Sequence, residues 1–96
     1  MTLDDLFQII HDRNEHPVAG SYTNYLFEKG EDEILKKIGE EAMEIILAAK
    51  SQGNHRLVAE VADLTYHILV LLEARGLTPK TVCDELGRRH RPREQK

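Results

Sequence analysis

Apolar residues recur along this chain in steps of three and four, the period of a helix buried along one side. Leu3, Leu6, Phe7, Ile9 and Ile10 keep that step and predict a first helix over residues 3–13. Thr2 is its N-cap, and Asp4 and Asp5 lie at the positive end of the helix dipole. Pro17 and Gly20 break the pattern, so residues 14–21 read as a loop. Ser21 can cap a short helical turn over 22–27, which Lys29 and Gly30 end. Ile34, Leu35, Ile38, Ala42, Ile45, Ile46 and Ala49 form one wide stripe and predict a long helix over 31–51. Gly53 and Asn54 supply a turn of about three residues. Over 55–75, Leu57, Val58, Val61, Leu64, Ile68, Leu69, Leu71 and Leu72 leave little polar surface. That helix is expected to be central or buried against another subunit. Gly76 ends it, and Thr78 followed by Pro79 starts a last helix over 79–89. Val82, Cys83 and Leu86 are expected to face inward there, and Pro92 stops anything regular.

The predicted fold is therefore all-α, a bundle-like arrangement of four or five helices. The short turn at Gly53 makes its two long helices antiparallel neighbours. The 96 residues fit one domain, 1–96, with the last six or so a flexible tail. A core this small would gain from burial against a second copy. The net charge of −4 argues against nucleic acid as a partner, and the basic run Arg88, Arg89, His90, Arg91 and Arg93 is too little to reverse that. One cysteine cannot form an internal disulfide and suits a reducing compartment. No signal peptide is visible, and the apolar stretch 68–72 is too short to span a bilayer. A soluble, cytoplasmic protein without a membrane partner is expected.

Charge placed within the stripes changes the picture. Glu41 and Glu44 are three apart on one long helix, and Glu60 and Asp63 are three apart on the next. Glu44 lies nine residues before Gly53 and Glu60 seven after it, so the two pairs can face each other across the hairpin. Carboxylates gathered beside a buried face repel one another and lose hydration, and a hard cation removes both costs. Mg²⁺ prefers such oxygen ligands, and Mn²⁺ can substitute. Ordinary ion pairs with Lys36, Lys37 or Lys50 are the competing explanation. Lys37, four before Glu41, can either pair with an acid or meet a phosphate beside the metal. Ser21, Tyr22, Thr23, Asn24 and Tyr25 can hydrogen-bond phosphate and pack on a base, or serve as a capping cluster. Cys83 stands among apolar residues, which suits packing, and His67 beside Tyr66 reads first as structural.

Four blocks carry a specific resemblance: G-S-Y-T-N-Y-L-F-E-K-G over 20–30, K-I-G-E-E-A-M-E over 37–44, A-E-V-A-D-L-T-Y-H-I-L-V over 59–70 and E-L-G-R-R over 85–89. In order and spacing they resemble the phosphoribosyl-ATP pyrophosphohydrolases, within the MazG-like all-alpha nucleotide pyrophosphohydrolase superfamily. The resemblance implies Mg²⁺-dependent hydrolysis of phosphoribosyl-ATP to phosphoribosyl-AMP and pyrophosphate, the second step of histidine biosynthesis. It implies metal binding by Glu41, Glu44, Glu60 and Asp63, with Glu40 a further candidate, and a MazG-like fold completed by homodimerisation. Lys37 matches the basic residue before the acidic motif. The chain starts directly with this part, so the resemblance points to the stand-alone form rather than a fusion.

The chemistry needs water directed at a phosphorus, and Glu41 or Glu44 can orient or deprotonate it. Arg13, Arg88 and Arg89 can bind the ribosyl phosphate, or be solvated helix-end residues. Two alternatives stay open: a house-cleaning nucleoside triphosphate pyrophosphatase, and a non-enzymatic helical dimerisation module.

Overall fold

A computed structural model describes residues 1–90 and contains five helices: α1 (Leu3–Glu15), α2 (Tyr22–Lys29), α3 (Glu31–Ser51), α4 (Asn54–Ala74) and α5 (Pro79–Arg89). No strand occurs among the described residues, so the architecture is all-α. The expected tail and Pro92 lie outside the described residues.

Local chemistry accounts for the helix ends. Thr2 Oγ1 accepts from the amide of Asp5 at 3.0 Å, and the Asp5 carboxylate accepts from the amide of Thr2 at 2.9 Å. The helix runs on to Glu15, two residues past the expected end, and Pro17 then forbids its continuation. Ser21 caps α2 as the sequence predicts, through the amide of Asn24. Gly30 ends α2 and starts α3 at φ 95°, a value that favours glycine. The end of α4 closes as a Schellman motif: the Leu77 amide reaches the Leu72 carbonyl at 2.8 Å and Gly76, at φ 71°, reaches Glu73. Thr78 caps α5, with Pro79 at its first position.

Only Gln52 and Gly53 separate α3 from α4, so the two long helices lie antiparallel and in contact. The core sits at the end of this hairpin away from its turn. Phe7 and Ile10 of α1, Leu26 of α2, Ile34 of α3, and Leu69 and Val70 of α4 are buried together there. Nearer the turn, neither α1 nor α2 covers the hairpin. Met43, Ile46, Leu47, Val58 and Val61 are all exposed, Val58 by 68%. The α3 stripe is thus shared between the core and an open face, and Ala48 rather than Ala49 is its buried member near the turn.

The last helix corrects the sequence expectation. Val82, Cys83 and Leu86 are exposed, not inward. α5 packs mainly on α1, and that contact leaves its apolar edge, Val82 and Leu86, open to solvent.

At the opposite edge, α1 is tied to α4 by polar contacts. His11 Nδ1 lies 3.0 Å from the Glu73 carboxylate, and Asn14 donates to the same carboxylate at 2.8 Å. The hydrogen bond and the charge of Glu73 raise the His11 pKa above its ordinary value near 6.5. A raised histidine pKa stabilises the fold fully below the unfolded value, and this contribution is lost as pH climbs through the folded value. As pH rises through and above the ordinary histidine value of 6.5, the melting temperature should therefore fall more in the native chain than in His11→Gln. Parallel pH profiles for the two proteins in thermal melts would remove this role for the pair.

Candidate active site

The hairpin register decides which acids meet. Glu41 of α3 and Glu60 and Asp63 of α4 each offer a carboxylate oxygen, and these oxygens lie within 4.8 Å of one another. Their surroundings differ. Glu60 is buried, at 3% exposure, Glu41 is half-buried and Asp63 is exposed. They line an open hollow of about 560 Å³ together with Lys37, Glu40, Glu44 and Arg56. Glu44 borders it one turn closer to the connection, outside the group of three converging oxygens.

Five carboxylates against two cations leave the hollow strongly negative. Burial raises the Glu41 pKa most, and the charges of Asp63 and Glu60 raise it further, while His67 and Lys37 act the other way. The donors of the converging group are all oxygens, one of them in a buried side chain. That set fits a hard divalent cation, which prefers carboxylate ligands. The residues present could therefore hold a metal ion.

The two cations are engaged at the rim. Lys37 Nζ forms its ion pair with Glu40 at 3.4 Å, and Arg56 Nη2 stands 2.7 Å from Glu60 Oε2. Sequence reasoning missed Arg56. The signal was there, because Arg56 precedes Glu60 by four residues, the helical ion-pair spacing.

Helix α2 is bonded to α4 directly beside the acids. The His67 Nδ1 lies 2.7 Å from the Asp63 carbonyl, which can only accept, so Nδ1 donates. With the ring neutral, Nε2 is left as acceptor for the Tyr22 hydroxyl at 2.9 Å. His67 is buried and meets Tyr66 edge-on at 5.0 Å, the structural placement expected of it. Thr23 and Tyr66 share a hydroxyl–hydroxyl bond of 2.5 Å, and the ring of Tyr22 stacks on Tyr25 and Tyr66. Ser21, Tyr22 and Thr23 thus form a capping and aromatic cluster on the α2–α4 seam. Tyr22 also lines a larger hollow, about 800 Å³, beneath the α1–α2 connection.

The arginines stand elsewhere. Arg13 pairs with Asp12, while Arg88 and Arg89 both pair with Glu85 on their own helix. None of the three lines the acidic hollow of its own chain.

Like-charge repulsion gives a test with two opposite signs. Without added metal, Glu41→Gln should raise the melting temperature, because it removes a carboxylate that its neighbours disfavour. A divalent cation at about 100 times its Kd should stabilise the native chain by about 2.7 kcal/mol. The chain combining Glu41→Gln, Glu60→Gln and Asp63→Asn should lose that gain. Equal cation-induced shifts in the two proteins would place the ion elsewhere.

The family described as "Phosphoribosyl-ATP pyrophosphohydrolase" matches residues 3–90. A "Phosphoribosyl-ATP pyrophosphatase" of Pelotomaculum thermopropionicum is 58% identical over 85 residues, covering 88% of this chain and 87% of the relative. Another of that name, from Listeria welshimeri, is 58% identical over 87 residues, covering 91% and 84%. The "Histidine biosynthesis bifunctional protein HisIE" of Oceanobacillus iheyensis is 54% identical over 85 residues. Those residues make up 88% of this chain and 40% of that longer relative.

Proposed function

The chain belongs to the phosphoribosyl-ATP pyrophosphohydrolase family, and from that membership we propose that it hydrolyses phosphoribosyl-ATP to phosphoribosyl-AMP and pyrophosphate, the second step of histidine biosynthesis. The observation that carries this proposal is the convergence of Glu41, Glu60 and Asp63 on one point of the α3–α4 hairpin. Mg²⁺ is the proposed ion, with Mn²⁺ as a substitute. Glu41, Glu60 and Asp63 would hold it, with Glu44 and Glu40 as neighbouring carboxylates. When bound, the ion would polarise phosphate oxygens and offset the charge that develops on them.

The remaining work falls to side chains of this chain. Glu44 would orient or deprotonate the attacking water. What supports it over Glu41 is that Glu44 borders the hollow without joining the three converging oxygens. Lys37, at the rim, would meet the triphosphate as a compact positive charge. Tyr22 and Thr23 would hold the nucleotide side of the substrate from α2, with Ser21 fixing the start of that helix. No helix among the described residues is long and apolar enough to cross a membrane. A cytoplasmic site of action belongs to the same proposal, and the free thiol of Cys83 suits a reducing compartment.

A homodimer belongs to the same proposal. Met43, Ile46, Leu47, Val58 and Val61 expose apolar surface on the hairpin that no other helix among the described residues covers. A second copy is the occupant whose own open face would match it. The dimer would also supply the route by which Arg13, Arg88 and Arg89 reach a ribosyl phosphate that their own chain does not bring to them. Ile46→Glu with Val58→Asp should convert a species of twice the chain mass to one of chain mass in light scattering. An unchanged mass would remove the hairpin face from the interface.

Activity is tested by comparing Mg²⁺-dependent turnover of phosphoribosyl-ATP with that of a panel of nucleoside triphosphates. Preferential turnover of phosphoribosyl-ATP is expected, with Glu60→Gln reducing kcat/KM by about 100-fold or more. Turnover of the panel with none of phosphoribosyl-ATP would replace this substrate by the house-cleaning alternative. No turnover of either would leave a helical dimerisation module.

A further inference from the structure

Glu60 presents an electrostatic problem that the proposed activity does not use. Its side chain is 4% exposed, yet one of its oxygens lies within 4.8 Å of a carboxylate oxygen of both Glu41 and Asp63. A buried carboxylate needs a counter-charge, and the structure provides one in Arg56, 2.7 Å away. The two ends of this pair are unlike. Arg56 is 56% exposed, in the first turn of α4, and Glu60 is one turn further along the same helix. The guanidinium can therefore leave by side-chain rotation into solvent, with no change of backbone. Glu60 cannot follow it.

We propose that Arg56 is the exchangeable counter-ion of the acidic site: it neutralises Glu60 while no cation is bound, yields that carboxylate to a divalent cation, and then faces an anionic phosphate at the rim. The proposal rests on the metal site of the preceding section. A cation held by Glu41, Glu60 and Asp63 would stand beside the guanidinium, and the two positive groups repel when they share one carboxylate. Exchange removes that repulsion. The displaced guanidinium keeps five N–H donors in a planar fork, a geometry that matches phosphate oxygens in pairs. Arg56 lines the same hollow as Lys37, so it would add a second cation on the side where a phosphate enters. Its cost falls on metal affinity, because the ion must displace a partner already in place.

Mg²⁺ titration calorimetry on the intact chain tests the exchange independently of activity. Arg56→Gln should bind Mg²⁺ about three- to tenfold more tightly than the native chain, since the lost pair is exposed at one end and buried at the other. Lys37→Gln is the control for net charge, because the ion pair of Lys37 is with Glu40 and it acts on Glu41 only through its field, without holding one of the three converging carboxylates. An equal or weaker affinity in Arg56→Gln would overturn the exchange, and so would an equal gain in Lys37→Gln. A native chain that binds no Mg²⁺ would overturn the metal site itself, and this inference with it. Kinetics at saturating Mg²⁺ then test the second half: Arg56→Gln should raise KM for phosphoribosyl-ATP about threefold or more, with kcat little changed. An unchanged KM would overturn the phosphate contact.

Discussion

The two-residue connection between α3 and α4 is the constraint on which the rest depends. Gln52 and Gly53 leave no slack, so the hairpin register is set by Gly53 at φ 87° and by the apolar contacts between the helices. That register brings Glu41 level with Asp63 and leaves Glu44 closer to the turn. A longer loop would let the helices slide, and a slide of one turn would exchange which acids converge. At the far end, α1 and α2 clamp the hairpin through Ile34, Leu69 and Val70. The acids share the uncovered length of hairpin, Glu44 lying between Met43 and Ile46 in sequence and Glu60 between Val58 and Val61. Their positions are held by hydrophobic packing that they oppose electrostatically, which is the usual bargain at a functional site.

Much of this arrangement was legible in the sequence because it is local. Thr2, Ser21 and Thr78 mark helix starts through bonds that span three residues, and Gly76 marks an end by the left-handed conformation it adopts. The long helices were legible from period alone. The facing of the acidic pairs needed only one inference beyond that, the shortness of the turn. Arg56 was legible in principle, because its pairing with Glu60 is a single helical turn. It reads first as a solvated side chain, because an arginine in the first turn of a helix is ordinarily one, and only the burial of Glu60 in the folded hairpin gives the pair its weight.

What was not legible depends on contacts distant in sequence. Nothing local reveals that the Tyr22 hydroxyl meets a histidine 45 residues away, or that Thr23 meets Tyr66. The apolar edge of α5 looks like any core-facing stripe, since periodicity reports that a face is apolar and not what covers it. The same ambiguity affects α4. Its nearly continuous apolar surface leads one to expect cover, yet only the placement of α1 and α2 shows that the half near the turn goes without it in one chain.

The charge in the hollow links that uncovered face to the chemistry. Glu40, Glu41, Glu44, Glu60 and Asp63 face only Lys37 and Arg56 there, so a single dication still leaves the hollow negative. A polyphosphate entering it would add further negative charge within a few ångströms, and repulsion at that range in a half-buried site is not screened away by salt. Positive charge must therefore arrive with the substrate, as a further ion, or from outside this chain. The basic end of α5, with Arg88 and Arg89 on a helix that touches its own chain mainly through α1, is free to face a second copy. In the proposed dimer an apolar face that needs cover and an anionic hollow that needs cations would be met by the same partner, so the dimer and the phosphate chemistry would stand or fall on connected surfaces.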